Sequence, residues 1–394
     1  MRLFLLPLII FIVVGITEDI FIFRKLSRLT RFKWLKWVHA VFSIAMLAMI
    51  VTAISLPRRS GSEEVLIAVM WMLWGYLTVY LPKTIWSALA LLSETPRLCH
   101  RKPVSWLSVI GIIIAVGLFF AMWWGALINR TEIDIKHVEV TIPDLPNAFD
   151  GYKIAQFSDL HTGTFGNDTT FISSLVDSIN ALGADMIAFT GDIVNRRTIE
   201  IEPFTDILGK LRAPDGVVSI LGNHDFGDYS AWSSPEARLA NNRQLNAIER
   251  GMGWILLNDS TIYVSRGNDS IAVIGVENIS QPPFPTYGNL ANATVGVPDS
   301  ITKILLSHNP SHWGTDISNN PDRKIALTLS GHTHAMQLEV GGFSPAKWVY
   351  PLWGGLSDDK YGQQLYVNIG AGTVGFPARI GATPEITLIT LRKN

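Results

Sequence analysis

A single cysteine, Cys99, in a chain of 394 residues leaves no disulfide, and its place in a basic loop keeps thiolates out of any site in the last two-thirds. Charge is also sparse. Asp, Glu, Lys and Arg make up 16% of the residues and nearly cancel to a net −1, so there is no basic excess for nucleic acid as a main partner. No basic stripe, internal repeat or low-complexity tract stands out. Against these shortages, 48% of the residues are hydrophobic, too many for an ordinary soluble protein, and the excess is concentrated before Ile128.

Trp34 to Leu56, Val65 to Leu81 and Val104 to Ile128 are apolar stretches of spanning length, since about 20 residues cross a bilayer. Tryptophans at Trp34, Trp37, Trp71, Trp86, Trp106, Trp123 and Trp124 lie toward their ends, where an aromatic belt sits. Leu3 to Ile16 could be the apolar part of a signal peptide, but no small-residue cleavage site follows, and Glu18-Asp19 interrupts it before Ile20 to Phe23. A retained first helix is the preferred reading. Residues 1–130 are therefore expected to form a membrane domain of about four helices, near 3–23, 34–56, 65–92 and 104–128, followed by a second domain over 131–394. Arg24, Lys25, Arg28, Arg31 and Lys33 precede the second stretch, and Arg97, Arg101 and Lys102 precede the last. Only Arg58 and Arg59 lie between the second and third, so the positive-inside rule places the segment after Ile128 outside the cytoplasm. Asn129 to His137 then reads as a short tether.

Five segments in the last two-thirds carry metal-ligand side chains: FSDLH at Asp159 and His161, TGD at Asp192, GNHD at Asn223 to Asp225, SH at His308, and GHTH at His332 and His334. Each alone is weak, because a lone Asp-x-His or Gly-Asp arises by chance. Together they are specific. His, Asp and Asn without thiolate suit borderline divalent ions such as Mn, Fe, Zn or Co, whereas Mg and Ca prefer all-oxygen shells. Asp159, His161, Asp192, Asn223, His308, His332 and His334 are too many for one ion that must leave a position open. Two divalent metal ions bridged by the Asp192 carboxylate would sit roughly 3.5–4 Å apart and grip both oxygens of an in-line displacement at phosphorus. With Asp159 and Asp192 as the anionic ligands and Asn223 neutral, such a centre keeps a positive field for a phosphoryl group.

These residues resemble the calcineurin-like metallophosphoesterase family, whose pattern reads D-x-H, GD, GNH followed by D or E, an isolated H, and GH-x-H. The resemblance covers about Ile135 to the C-terminus. It implies an α/β fold of two packed mixed β-sheets flanked by helices, here preceded by an all-α transmembrane bundle. It also implies one metal on Asp159, His161, Asp192 and His334 and the other on Asp192, Asn223, His308 and His332. His224 is then implied to be catalytic, touching the substrate phosphate and assisting the leaving oxygen, with Asp225 orienting its ring. The activity implied is hydrolysis of phosphomonoesters or phosphodiesters by a metal-bridging hydroxide. The tail from Tyr366 to Leu391 is similar to the end of membrane-associated bacterial members.

Short apolar runs at Lys153–Phe157, Met186–Thr190, Val217–Leu221, Ile304–Leu306 and Ile325–Leu329 each end in a motif, as strands delivering ligands from their C-terminal ends would. Helical spacing over Thr170–Leu182 and Pro203–Leu211 gives the alternation of an α/β domain. Runs at Thr261–Val264, Ile271–Val276, Leu365–Ile369 and Ile386–Leu391 have little helix between them and imply a second sheet. Gly191, Gly222 and Gly331, each just before a ligand residue, fit sharp turns off a strand.

The remaining histidines read as ordinary: His39 as an interfacial side chain, His100 as part of a basic loop, His137 as unassigned, and His312 as a solvent-exposed loop residue. Pro82 and Lys83 read as the end or a kink of the third helix. The Asn-x-Ser/Thr triplets at Asn129, Asn167, Asn258, Asn268, Asn278 and Asn292 read as chance. The leading expectation is a membrane-anchored phosphoesterase acting on a lipid headgroup, with soluble phosphoesters as the other substrate class. The competing expectations are a catalytically idle relative serving as a binding or signalling module, and a transporter with an appended domain. Complete motifs weigh against the first competitor, and the lack of an evident intramembrane charge pair weighs against the second.

Overall fold

A computed structural model describes residues 2–28 and 32–394, so Arg31 of the basic cluster lies outside the described residues. The chain divides into two compact units, Met1–Ala126 with Gly375–Pro377, and Leu127–Val374 with Ala378–Asn394.

The first unit contains α1 (Arg2–Ser27), α2 (Leu35–Ser55), α3 (Glu63–Glu94) and α4 (Ser105–Leu127). All four are long and apolar enough to cross a membrane. Met46, Ile50, Tyr76 and Tyr80 form a buried cluster onto which Leu8, Phe11 and Ile12 of α1 pack. Outward faces stay apolar, with Val41, Ile44, Ile113 and Phe120 exposed, as lipid-facing helices require.

α1 runs unbroken across Glu18 and Asp19, as a retained first helix requires. Pro82 lies inside α3, which runs on to Glu94, so it does not mark the end of that helix. One expectation about this unit is corrected. A charge pair does exist inside the bundle: the Asp19 carboxylate takes the Lys83 ammonium, and also accepts from Ser43 Oγ at 2.7 Å and Tyr80 OH at 2.8 Å. His39 is turned inward beside them, its Nε2 3.2 Å from the Asp19 carbonyl oxygen. Three helices thus meet at one carboxylate, whose lone pairs would otherwise be stranded in an apolar bundle.

The second unit is a two-sheet sandwich. The first sheet contains β1 (Asp134–Ile142), β2 (Lys153–Phe157), β3 (Met186–Phe189), β4 (Val217–Ser219) and β5 (Ile255–Leu256). The second contains β6 (Ser260–Arg266), β7 (Asp269–Gly275), β8 (Thr302–Leu306), β9 (Leu327–Ser330), β10 (Gly355–Asp358) and β11 (Gln364–Val367). The last strand, β12 (Glu385–Lys393), returns to the first sheet, giving the orders β1-β12-β2-β3-β4-β5 and β10-β11-β9-β8-β7-β6. β2, β3 and β4 are mutually parallel, as are β7, β8, β9 and β11.

Period-2 alternation sorts the side chains into layers. Ile154, Met186, Ala188 and Val218 meet Ile271, Val273, Ile304, Leu327 and Leu329 between the sheets. Ala155, Phe157, Ile187, Phe189 and Val217 face the other way, into a second core with Phe171, Ile172, Leu175 and Leu245. Those last residues come from α5 (Thr170–Ala181) and from α7 (Pro235–Gly251), with the one-turn α6 (Thr205–Leu208) between them. The helix expected over Pro203–Leu211 is shorter in the structure, the one-turn α6 preceded by a 3-10 turn over Thr198–Phe204. α7 escaped the sequence reading because its buried face is Asn241, Leu245 and Glu249, which has no apolar period. The tether is also corrected: Asn129 is buried, and β1 begins within the segment. His312 is buried as well, its Nδ1 2.8 Å from Ser307 Oγ.

Candidate metal centre

The parallel strands of each sheet end at one edge, and every motif residue lies just past such an end: Asp159 and His161 after β2, Asp192 after β3, Asn223 and His224 after β4, His308 after β8, His332 and His334 after β9. Open α/β sheets bind ligands at this edge. Two glycines permit the approach. Gly191 has φ +96°, and a Cβ on Gly222 would collide with Asp192 Oδ1.

The structure brings the expected ligands together as overlapping groups: Asp159, His161 and His334; His161, Asp192 and His224; Asp192, His308 and His332, each with ligand atoms within 4.8 Å of one another. His161 Nε2 faces His334 Nε2 at 3.0 Å, and His332 Nδ1 faces His308 Nε2 at 3.3 Å. Asp192 Oδ2 lies 3.1 Å from His308 Nε2 and 3.7 Å from His161 Nε2, so one oxygen serves both sides. Asn223 gives its Nδ2 to Tyr229 OH at 2.9 Å, while its buried Oδ1 has no hydrogen-bond partner. Converging ring nitrogens, a shared carboxylate oxygen and an orphaned amide oxygen fit a metal pair and fit poorly with hydrogen bonding alone.

Electrostatics agree. Burial holds His161, His332 and His334 below the usual histidine range, His332 at about 3, so their lone pairs are available as ligands must be. His308 is the exception. Burial lowers it too, but the Asp192 carboxylate and then Asp159 outweigh that and raise it to about 9. Five of the seven ligand candidates, Asp159, His161, Asp192, His332 and His334, have φ between +46° and +78°. Left-handed backbone in non-glycine residues costs on the order of 1–3 kcal/mol each and clusters at functional sites.

One expected role looks different in the structure. The Asp225 carboxylate does not reach the His224 ring; it accepts backbone N–H groups from Asp192 and Gly222 at 2.8 Å, Ile193 at 3.0 Å and Val194 at 3.2 Å. It therefore ties the β3 and β4 loops together. Its pKa is raised to about 7 by burial and then by the Asp192 charge, against the Gly222 and Val194 donors. The His224 ring is instead held by the Asn195 carbonyl, 2.6 Å from Nδ1, and stacks on Tyr229 at 4.1 Å.

Sequence reasoning missed the supports. Arg379, fully buried, donates to the carbonyls of Ile369, Gly372 and Ala382 and sets its Nη2 3.1 Å from His334 Nδ1, packing the guanidinium against that ring. Its only signal was a lone Arg in an apolar tail. Tyr350 OH lies 3.1 Å from His332 Nε2, and Asn368 accepts from Ser158 Oγ and Gly370 N–H beside Asp159.

Comparison with known proteins gives the family. Residues 152–336 match the family described as Calcineurin-like phosphoesterase, and residues 1–130 match "Probable Calcineurin-like phosphoesterase, transmembrane domain". The uncharacterized metallophosphoesterase YkuE of Bacillus subtilis is 31% identical over 68% of this chain and 87% of its own. The transmembrane protein with metallophosphoesterase domain of Danio rerio is 28% identical over 66% of this chain, which spans 57% of that protein. Its counterpart in Bos taurus is 27% identical over 77% of this chain and 65% of its own. With the motif residues gathered as the pattern requires, the chain belongs to the calcineurin-like phosphoesterases, as a membrane protein with a four-helix transmembrane domain.

Proposed function

We propose that this protein is a two-metal phosphoesterase that hydrolyses phosphomonoesters or phosphodiesters of membrane lipid headgroups on the extracytoplasmic side. The observation that carries the chemistry is Asp192 Oδ2, within reach of ligand atoms on both sides of the centre. Asp159, His161, Asp192 and His334 would hold one ion, and Asp192, Asn223, His308 and His332 the other. When bound, the ions supply an activated water as nucleophile and positive charge for the phosphoryl oxygens. Ions with mixed nitrogen and oxygen preference, Mn, Fe, Zn or Co, suit this donor set.

The chain's own residues do the rest. Asn195 fixes the His224 ring through Nδ1–H, which leaves Nε2 as the nitrogen that, in the doubly protonated ring, gives its proton to the departing oxygen. A ring nitrogen of His224 lies within 4.8 Å of ligand atoms of His161 and Asp192, at the edge of the centre. Asp225 sets the two loops that carry Asp192 and His224. The membrane domain and the basic loops flanking its helices favour lipid on the outer face over soluble esters.

The test uses full-length protein in detergent and in lipid vesicles, assayed for bound metal and for hydrolysis of an aryl phosphate monoester, an aryl phosphodiester and vesicle-embedded lipid phosphoesters. Two metals per chain and turnover are expected, with Asp192→Asn losing both turnover and metal at each position. Tight binding of two metals with near-normal turnover by that variant would remove Asp192 from the bridging role. Hydrolysis of aryl phosphates without lipid turnover would leave a surface phosphatase for soluble esters, and metal binding without hydrolysis of any substrate would leave an idle module.

A further inference from the structure

Immediately after His334 the chain projects a hairpin whose composition suits neither a core nor ordinary solvent. Met336, Leu338, Val340, Phe343, Trp348 and Val349 are all exposed, with Val340 68%, Phe343 49%, Trp348 79% and Val349 59% accessible. Val340 and Phe343 close a two-residue turn with reciprocal backbone hydrogen bonds of 2.9 and 3.2 Å. The turn residues are Gly341 at φ +59° and Gly342 at φ +79°, as a tight hairpin demands. The Phe343 and Trp348 rings meet edge to face at 5.7 Å, so the tip presents a preformed aromatic pair. Among the described residues of this unit, other exposed apolar side chains are mostly scattered singly.

The base of this hairpin is fastened to the metal centre. Ser344 Oγ donates to the Ala335 carbonyl at 2.5 Å, next to His334. Thr333 Oγ1 donates to the Trp353 carbonyl at 2.5 Å, and Tyr350, two residues past Trp348, touches His332. A surface of several contiguous apolar side chains marks an interaction site in a water-facing domain. The chain itself supplies the candidate partner. Four of its helices are fit to cross a membrane, and only six residues, 128–133, separate α4 from β1. At about 3.3–3.6 Å per extended residue, such a connection holds the unit close to the bilayer surface. Val, Phe and Trp flanked by one lysine, Lys347, match the chemistry of side chains that settle at the headgroup boundary.

The geometry points to the hairpin Leu338–Val349 as a membrane-contacting flap that rests its apolar tip in the headgroup layer of a lipid bilayer, with the metal centre fixed directly behind it. This rests on the membrane domain and on the centre's geometry, and it stands whether or not lipid is the substrate.

The test reads depth and not turnover. In the full-length protein with Cys99→Ser, Phe343→Cys and, separately, Val340→Cys are labelled with an environment-sensitive fluorophore. The control label is at Asp322→Cys, exposed ahead of β9 at the opposite end of that strand from the motif. Each is reconstituted into phosphatidylcholine–phosphatidylglycerol vesicles with shallow nitroxide lipid in both leaflets, or with iodide on both sides. Flap labels are expected to be quenched by the nitroxide lipid and several-fold less by iodide than the control. Equal iodide quenching at flap and control, without nitroxide quenching, would overturn the proposal. So would shielding from iodide without nitroxide quenching, which would mean that protein covers the tip. If the flap labels are lipid-quenched while no lipid ester is hydrolysed, the flap stands and the lipid-substrate reading falls.

Discussion

His224 Nδ1 lies 2.6 Å from the backbone oxygen of Asn195, and because a carbonyl can only accept, that nitrogen carries a proton. The tautomer of the neutral ring is thereby set with its lone pair on Nε2, so His224 acts as an acid through Nε2 only once that nitrogen has taken up a proton, as imidazolium. His224→Ala is expected to keep both metals and to lose roughly 10²–10⁴ in rate, the range for a positioned general acid. A leaving-group series checks this. The loss should shrink as the leaving group becomes more acidic; a uniform loss would make His224 a phosphate-positioning group.

Arg379 acts through His334. Its bonds to three carbonyls fix the segment packed against the His334 ring, and loss of an outer support of a ligating histidine commonly costs 10–100-fold in metal affinity or activity. Arg379→Met should weaken metal binding by that order, read by chelator competition with total metal content as the second measurement. Arg379→Lys, which cannot reach the same three carbonyls, should recover little of it.

The Asp19–Lys83 pair makes a different kind of prediction. Removing one partner of a buried pair leaves an uncompensated charge and costs about 3–5 kcal/mol, whereas replacing both can be nearly neutral. Lys83→Met should lower the thermal stability of the bundle in detergent, and Asp19→Asn with Lys83→Met should restore most of it. Equal losses in the single and double variants would mean that the pair contributes through shape and not charge.

Glu249 is fully buried in α7, accepts from Ser219 Oγ at 2.6 Å, and is raised to about 8 by that burial. In the unfolded chain it titrates near 4.5. The folded state therefore holds a proton that the unfolded state releases, and the stability this confers is complete below about 4.5 and lost as pH climbs through about 8. Glu249→Gln should flatten that decline. Melting curves of both proteins in the same detergent at pH 5 and pH 8 check it; parallel curves would remove Glu249 from the pH response.

The candidate metal centre was legible because metal chemistry restricts residue types at fixed places in the chain: Asp159, His161, Asp192, Asn223, His308, His332 and His334 all lie at strand ends of one edge. The strands were legible for a related reason, since runs buried on both faces read as continuous apolar sequence. β2 matches its expected bounds, Lys153–Phe157. What escaped depends on partners distant in sequence. Arg379 meets His334 across 45 residues, and Lys83 meets Asp19 across 64. The start of β1, up to His137, was read as tether because its side chains are largely exposed and the strand that pairs with it, β12, is distant in sequence. Five left-handed ligand residues were invisible for the opposite reason, as nothing in an Asp or His announces a strained backbone.

The position of β12 bears on how the protein is made. Residues 385–393 lie between β1 and β2, parallel to the first and antiparallel to the second. Until they have been synthesised, β1 has no neighbouring strand and β2 has an open edge facing solvent, although β1 was complete at Ile142, about 240 residues before Glu385. Such long-range pairing slows folding, and at roughly 5–20 residues per second of synthesis the exposed edge persists for many seconds. We predict that a nascent chain stalled after Thr383 is cleaved by added protease within 134–142, and that release of the next ten or so residues protects it; protection before β12 emerges would show that β1 folds onto something else. The sandwich closes like a zip whose slider is β12, so a cell must shelter this edge until that strand has emerged.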